Sequence, residues 1–219
     1  MALTLYYGSG SPYAWRAQLA LEHKALPYEL KILSFSAGDT RKPEFVALNP
    51  RHQVPVLVDG DFVLWESNAI VEYLDEAYPG RGAPLFPGDA RTRAIIRRFI
   101  EEVDSYYYKA IDPILVQAFE VKPEERDPEK IAGGRKGAVE ELAMFSRAMR
   151  GDYLAGPLSA ADFTFYPLVA FLYRTQKMKL PDLNADGMLT AELRAWKARI
   201  EALPFLDKTI PPHWKQSQP

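Results

Sequence analysis

Two hydrophobic periods alternate up to about residue 80, and only one survives beyond about residue 90. This switch constrains the fold more than any single motif, because a strand repeats every two residues and a helix every 3.6. "LTLYY" at the start reads as a strand, and "PYAWRAQLALEHK" reads as a helix with Trp15 and Leu19 on one side. "YELKIL" is a second strand, with Tyr28, Leu30 and Ile32 in period two, and "KPEFVALNP" a short helix. "VPVLVDGDFVLWE" holds two strand runs around Asp59-Gly60, a strong hairpin signal. "SNAIVEYLDEAYP" is a helix beginning near Ser67 and stopped by Pro79. The order β-α-β-α-β-β-α combines a βαβ unit, which needs a parallel pair, with an antiparallel hairpin. That predicts a mixed four-stranded sheet with helices on its faces.

"GRGAPLFPGD" is a Gly/Pro-rich connector, and strand signals vanish after it. Ile95, Ile96, Phe99, Ile100 and Val103 follow helical spacing in a long segment where Pro113 is the expected kink. "DPEKIAGGRKGAVEELAMFSRAMR" is a second amphipathic helix, weakened early by Gly133-Gly134. "SAADFTFYPLVAFLYR" is apolar enough to be a buried central helix, and "TAELRAWKARIEAL" is a fourth. The expected division is an α/β domain over 1–80, a linker over 81–88 and an all-α bundle over 89–219.

Composition removes several classes of function. A net charge of -2 gives no reason to expect nucleic acid or an anionic membrane. No apolar run approaches the roughly 18 residues of a membrane span, and strand one begins too early to leave room for a secretory signal. A cytoplasmic location is the expectation. The absence of cysteine excludes disulfides, thiolate metal sites and a cysteine nucleophile. His23, His52 and His213 have no metal-ligand spacing, so no metal is expected.

Four motifs in order carry a family resemblance: "SPYAWR" after strand one, "LNPRHQVPVL" (Leu48 to Leu57), "WESNAIVEYL" (Trp65 to Leu74) and "LAGPLSAADFTFYP" (Leu154 to Pro167). Together they resemble the glutathione transferase superfamily of the theta, zeta and omega type, which joins a thioredoxin-like domain to a helical domain. The resemblance implies glutathione as co-substrate, an electrophilic and largely apolar second substrate, a pocket for it contributed by the helical domain, and a homodimer. It implies that Val54-Pro55 is a cis pair whose Val54 backbone pairs with the cysteinyl part of glutathione, as an added strand would. It implies Glu66 and Ser67 facing the γ-glutamyl group, with Ser67 also a good N-cap. Gln53, and His52 beside it, are candidates for the glycyl carboxylate.

The chemistry turns on the thiol. An unperturbed thiol has a pKa near 8.5, so it needs a donor to be a thiolate at neutral pH. Ser11, before Pro12, sits where an N-cap hydroxyl and a helix N-terminus converge. Ser9 is a rival in the same loop, and Tyr6 or Tyr7 is another, because some classes use a tyrosine at the end of strand one. Tyr13, Tyr107 and Tyr108 are candidates for the electrophile pocket, and Phe119 lies on the same long helix as the last two. Ser159 and Asp162 form a capping box with a structural role.

The expected activity is conjugation of glutathione to an electrophile. A glutathione-dependent isomerase, resembling maleylacetoacetate isomerase, or a dehalogenase is the alternative reaction. A non-catalytic transferase-like binding protein is the alternative of another class. Omega-type relatives carry cysteine where Ser11 stands, and zeta-type isomerases carry Ser-Ser-Cys where this chain has Ser11, Pro12 and Tyr13.

Overall fold

A computed structural model describes residues 3–215. The chain separates into two compact units, Met1–Pro87 with Leu203–Pro219, and Gly88–Ala202. The first unit therefore includes a segment that the sequence pattern assigned to the helical domain.

In the first unit, strands β1 (Leu3–Gly8), β2 (Tyr28–Leu33), β3 (Val56–Asp59) and β4 (Phe62–Trp65) form one sheet in the order β2-β1-β3-β4. β1 runs parallel to β2, with Leu3 opposite Tyr28, and antiparallel to β3, with Tyr6 opposite Val56. The mixed sheet follows from the connections: helix α1 (Pro12–His23) carries the chain across between parallel strands, while Gly60 at φ +64° closes the β3–β4 hairpin. Leu3, Leu5 and Tyr7 are buried on one face of β1. Every residue from Ala14 to Leu21 of α1 is buried. The short helix α2 (Pro43–Val46) contributes Phe45 to the core, and helix α3 (Ser67–Ala77) packs along α1.

Two polar ties fix the end of this unit. Asp59 accepts from the hydroxyls of Tyr73, at 2.8 Å, and of Tyr78. Lys24, only 1% exposed, donates to Asp75 at 3.0 Å, and Asp75 also accepts from the amides of Leu85 and Phe86.

The second unit is helical: α4 (Ala90–Glu102), α5 (Tyr108–Phe119), α6 (Pro128–Ala148), α7 (Ala160–Met178), α8 (Ala185–Met188) and α9 (Ala191–Glu201). The break in the first long segment is a π turn over Val103–Tyr107, upstream of Pro113, which lies inside α5. The glycines of α6 serve packing. A Cβ on Gly134 would come 2.8 Å from Ile114, and one on Gly137 3.4 Å from Ala110, so their absence lets α6 lie close to α5. α7 is buried along most of its length. Asp162 anchors it, accepting from the Ser159 amide at 2.9 Å, the Ser159 hydroxyl at 3.1 Å, the Leu154 amide at 3.0 Å and Trp196 Nε1 at 2.8 Å. Burial still raises its carboxyl to about 6, against the pull of those four donors.

Two short helices, α10 (Leu206–Thr209) and α11 (Pro212–Lys215), complete the first unit. Trp15 of α1 donates from Nε1 to Thr209 at 2.8 Å, and its ring meets Trp214 edge-on at 5.4 Å. These aromatic and hydrogen-bonded contacts draw the segment to α1, so the expected helical domain over 89–219 is shorter at its far end.

Candidate functional site

The loop Gly8-Ser9-Gly10-Ser11 turns β1 into α1. Ser11 has extended backbone (φ -71°, ψ 120°), the geometry of an N-cap, and its Oγ accepts from the Ala14 amide at 3.3 Å. A hydroxyl has two acceptor lone pairs and one donor, so capping uses the oxygen and leaves the O–H to donate elsewhere. Gly10 has φ +92°, a conformation that side chains disfavour. Gly8 has no room for one, since a Cβ there would meet the Phe35 ring and come 2.8 Å from Val54 Cγ2. That close approach sets the serine loop directly beside Val54.

Val54-Pro55 is cis and precedes β3. His52 has φ +57°, and its Nδ1 lies 3.2 Å from the Thr40 carbonyl. A carbonyl only accepts, so that bond places the proton on Nδ1 and leaves Nε2 on the outer side of the ring. Gln53 is exposed, while its carbonyl is held by Asn49 Nδ2 at 2.8 Å.

At the start of α3 the structure corrects one expectation. The N-cap position is Glu66, not Ser67, and no side chain caps the helix. Glu66 has φ +70°, costly for a residue with a Cβ and a mark of constraint rather than of packing. Ser67 is 6% exposed, and its Oγ accepts from Arg16 Nη1 at 3.1 Å; the same nitrogen reaches Asn68 Oδ1 at 2.6 Å. With one lone pair filled by a donor-only guanidinium, the Ser67 hydroxyl keeps its O–H for donation, and no side chain caps the first amides of α3. The arrangement suits a carboxylate.

The tyrosines divide differently from the sequence expectation. Tyr6 rests against Phe45 at 6.0 Å, with Lys31 5.3 Å from its ring, on the side of the sheet away from Tyr7. Tyr7 is fully buried, and burial raises its phenol far above its ordinary value, with only a partial offset from the Gly10 backbone. Neither is arranged as a ready donor to a thiolate. Tyr13 lies with Arg16 5.2 Å from its ring. Tyr107, expected at a substrate pocket, is a core residue at 0% exposure, packed against Phe145 and Phe165. Tyr108 is half-buried, its hydroxyl near Asp112, and Phe119 stacks on Phe171 at 5.3 Å.

Residues 1–76 match the model of the glutathione S-transferase N-terminal domain. Glutathione S-transferase A of Pleuronectes platessa is 30% identical over 98% of this chain and 94% of its own. The chain belongs to the glutathione S-transferase family. Among solved structures, a glutathione S-transferase from the Antarctic clam Laternula elliptica superposes with a TM-score of 0.84 at 31% identity, covering 100% of this chain and 96% of that one. A theta class enzyme from Xanthomonas axonopodis pv. citri, with glutathione bound, gives 0.77 at 28% identity over 95% and 97%.

Within this family frame, two residues near the loop had no assigned role in the sequence. Arg16 is 1% exposed, and it is the sole charge between Pro12 and Leu21, which was the available signal. His213, read only as a histidine without metal spacing, places Nδ1 2.8 Å from Ser9 Oγ. No local pattern in the sequence indicates that contact, because 204 residues separate the pair.

Proposed function

We propose that this protein is a glutathione transferase in which Ser11 holds the thiolate of glutathione. The thiol gives up its proton, the sulfur lone pair attacks an electrophilic carbon of a small, largely apolar substrate, and a leaving group departs or an adduct forms. The observation that carries the reading is the Ser11 hydroxyl, whose oxygen accepts the capping amide of Ala14 while its own proton stays available. Lowering a thiol pKa by two units takes about 2.7 kcal/mol. One hydrogen bond to a charged group contributes about 1.5–3 kcal/mol, and a helix N-terminus about 0.3–1 kcal/mol, so the two together suffice.

Val54 offers backbone to the cysteinyl unit, Gln53 and His52 face the glycyl carboxylate, and Glu66 and Ser67 take the γ-glutamyl ammonium and carboxylate. The nearness of Gly8 to Val54 and the Arg16 bond to Ser67 support a single binding surface. A cytoplasmic homodimer is the assembly that the family resemblance implies. Equilibrium titration with glutathione, followed by turnover of an activated aryl halide, tests the reading. Saturable binding with turnover supports it, binding without turnover leaves a binding protein, and no binding overturns it.

A further inference from the structure

Ser9 and His213 form an exposed pair two residues before Ser11, and several features seat the imidazole there. Gly10 makes room for it, since a Cβ at that position would come 2.9 Å from His213 Cε1. The neighbouring Trp214 is fixed edge-on to Trp15, and Trp15 is fixed to Thr209. His213 and Trp214 also meet edge-on at 6.3 Å. The contact is therefore a built one: a segment of the chain distant in sequence is anchored on α1 and delivers an imidazole nitrogen to the serine loop.

We propose that Ser9 and His213 are the proton acceptor for the glutathione thiol, a role separate from the thiolate stabilisation by Ser11. This rests on the transferase reading above. The neutral imidazole carries its proton on Nε2, and Ser9 donates its O–H to Nδ1. An incoming thiol donates S–H to Ser9 Oγ. As the S–H bond breaks, the Ser9 proton moves to Nδ1, Ser9 keeps the thiol proton, and the products are a thiolate and an imidazolium. The imidazolium Nδ1–H then donates to Ser9 Oγ, and Ser9 O–H donates to the sulfur, so the two charges are bridged by one hydroxyl. No proton is released to solvent. Histidine suits the task because its ordinary pKa lies near neutrality.

Charged groups on the neighbouring elements are engaged in pairs of their own. On the same segment Lys215 closes on Asp207 at 2.9 Å, and Lys208 lies 3.9 Å from Glu22 of α1. From the sheet side, the Tyr7 phenol stays protonated because of its burial. Facing the imidazole from the loop are Ser9 and Gly10, which carry no charge.

The experiment adds glutathione to the full-length protein in weak buffer near neutral pH. It records thiolate absorbance in the ultraviolet and proton release by an indicator dye at the same time. In the wild type, fewer protons than thiolates are expected. In His213→Gln, whose amide oxygen still accepts from Ser9 but takes up no proton, one proton per thiolate is expected, and the thiolate fraction falls several-fold. Ser9→Ala gives the same pattern, and a thermal melt of each variant confirms that it is folded. One released proton per thiolate in all three proteins overturns the proposal and leaves the transferase reading standing. No thiolate signal in the wild type overturns both.

Discussion

Arg16 of the first helix donates from Nη1 to Ser67 Oγ at the start of the third, at 3.1 Å. The guanidinium is buried and positions a hydroxyl and an amide, Asn68 Oδ1 also accepting from it at 2.6 Å. Arg16→Met should therefore act at both levels. Loss of these charge-assisted bonds lowers stability by about 2–4 kcal/mol. The glutathione KM should rise about tenfold while kcat changes little, because the role proposed for Ser67 is at the γ-glutamyl carboxylate and not at the sulfur. Steady-state kinetics against glutathione, with thermal melting, check both.

Glu66 separates strain from function. Its φ of +70° is relieved by glycine. Glu66→Gly should hold or raise stability by about 1 kcal/mol. The same change removes the carboxylate proposed to take the glutathione ammonium, so affinity should fall more than tenfold. Calorimetric titration beside a melt distinguishes this from a variant that merely unfolds.

Asp75 and Asp162 should move stability in opposite directions with pH. Burial pushes the Asp75 carboxyl up, but the amides of Leu85 and Phe86 and the Lys24 ammonium outweigh it, and the net shift is downward. Its contribution is present above the unfolded carboxylate value, about 3.9, and is lost on acidification below it. Asp75→Asn leaves the Lys24 charge buried and unpaired, which costs about 3–5 kcal/mol. It should also flatten the acid limb of the stability profile.

Asp162, raised to about 6, follows the reverse sign. The folded protein keeps that proton longer than the unfolded chain, so the contribution is full below about 3.9 and is lost as pH rises through 6. Asp162→Asn puts an amide NH2 against donors and should cost about 2–4 kcal/mol. The deficit relative to the wild type should be larger at pH 4 than at pH 7. Denaturant melts at the two values decide it.

The sheet was legible because strand period, hairpin chemistry and helix stops all acted locally. The mixed character of the sheet then followed from the crossover and the hairpin, which the structure arranges in the order β2-β1-β3-β4. Other features depended on information a local pattern does not carry. The π turn at Val103–Tyr107 breaks the 3.6-residue phase, and Tyr107, a pocket candidate through the family resemblance, lies in the core. The segment from Leu203 has the composition of the bundle but packs on α1 through Trp15, Thr209 and Trp214. Ser11 was legible as a cap because a proline follows it. Ser67 as a cap was misplaced by one residue, because nothing in a glutamate announces a positive φ.

The most direct test is the pKa of the bound glutathione thiol, read by ultraviolet absorbance against pH, in wild type and Ser11→Ala. The expected value in the wild type is about two units below that of the free thiol, returning most of the way in Ser11→Ala while glutathione still binds. An unchanged bound-thiol pKa in the variant would contradict the role given to Ser11.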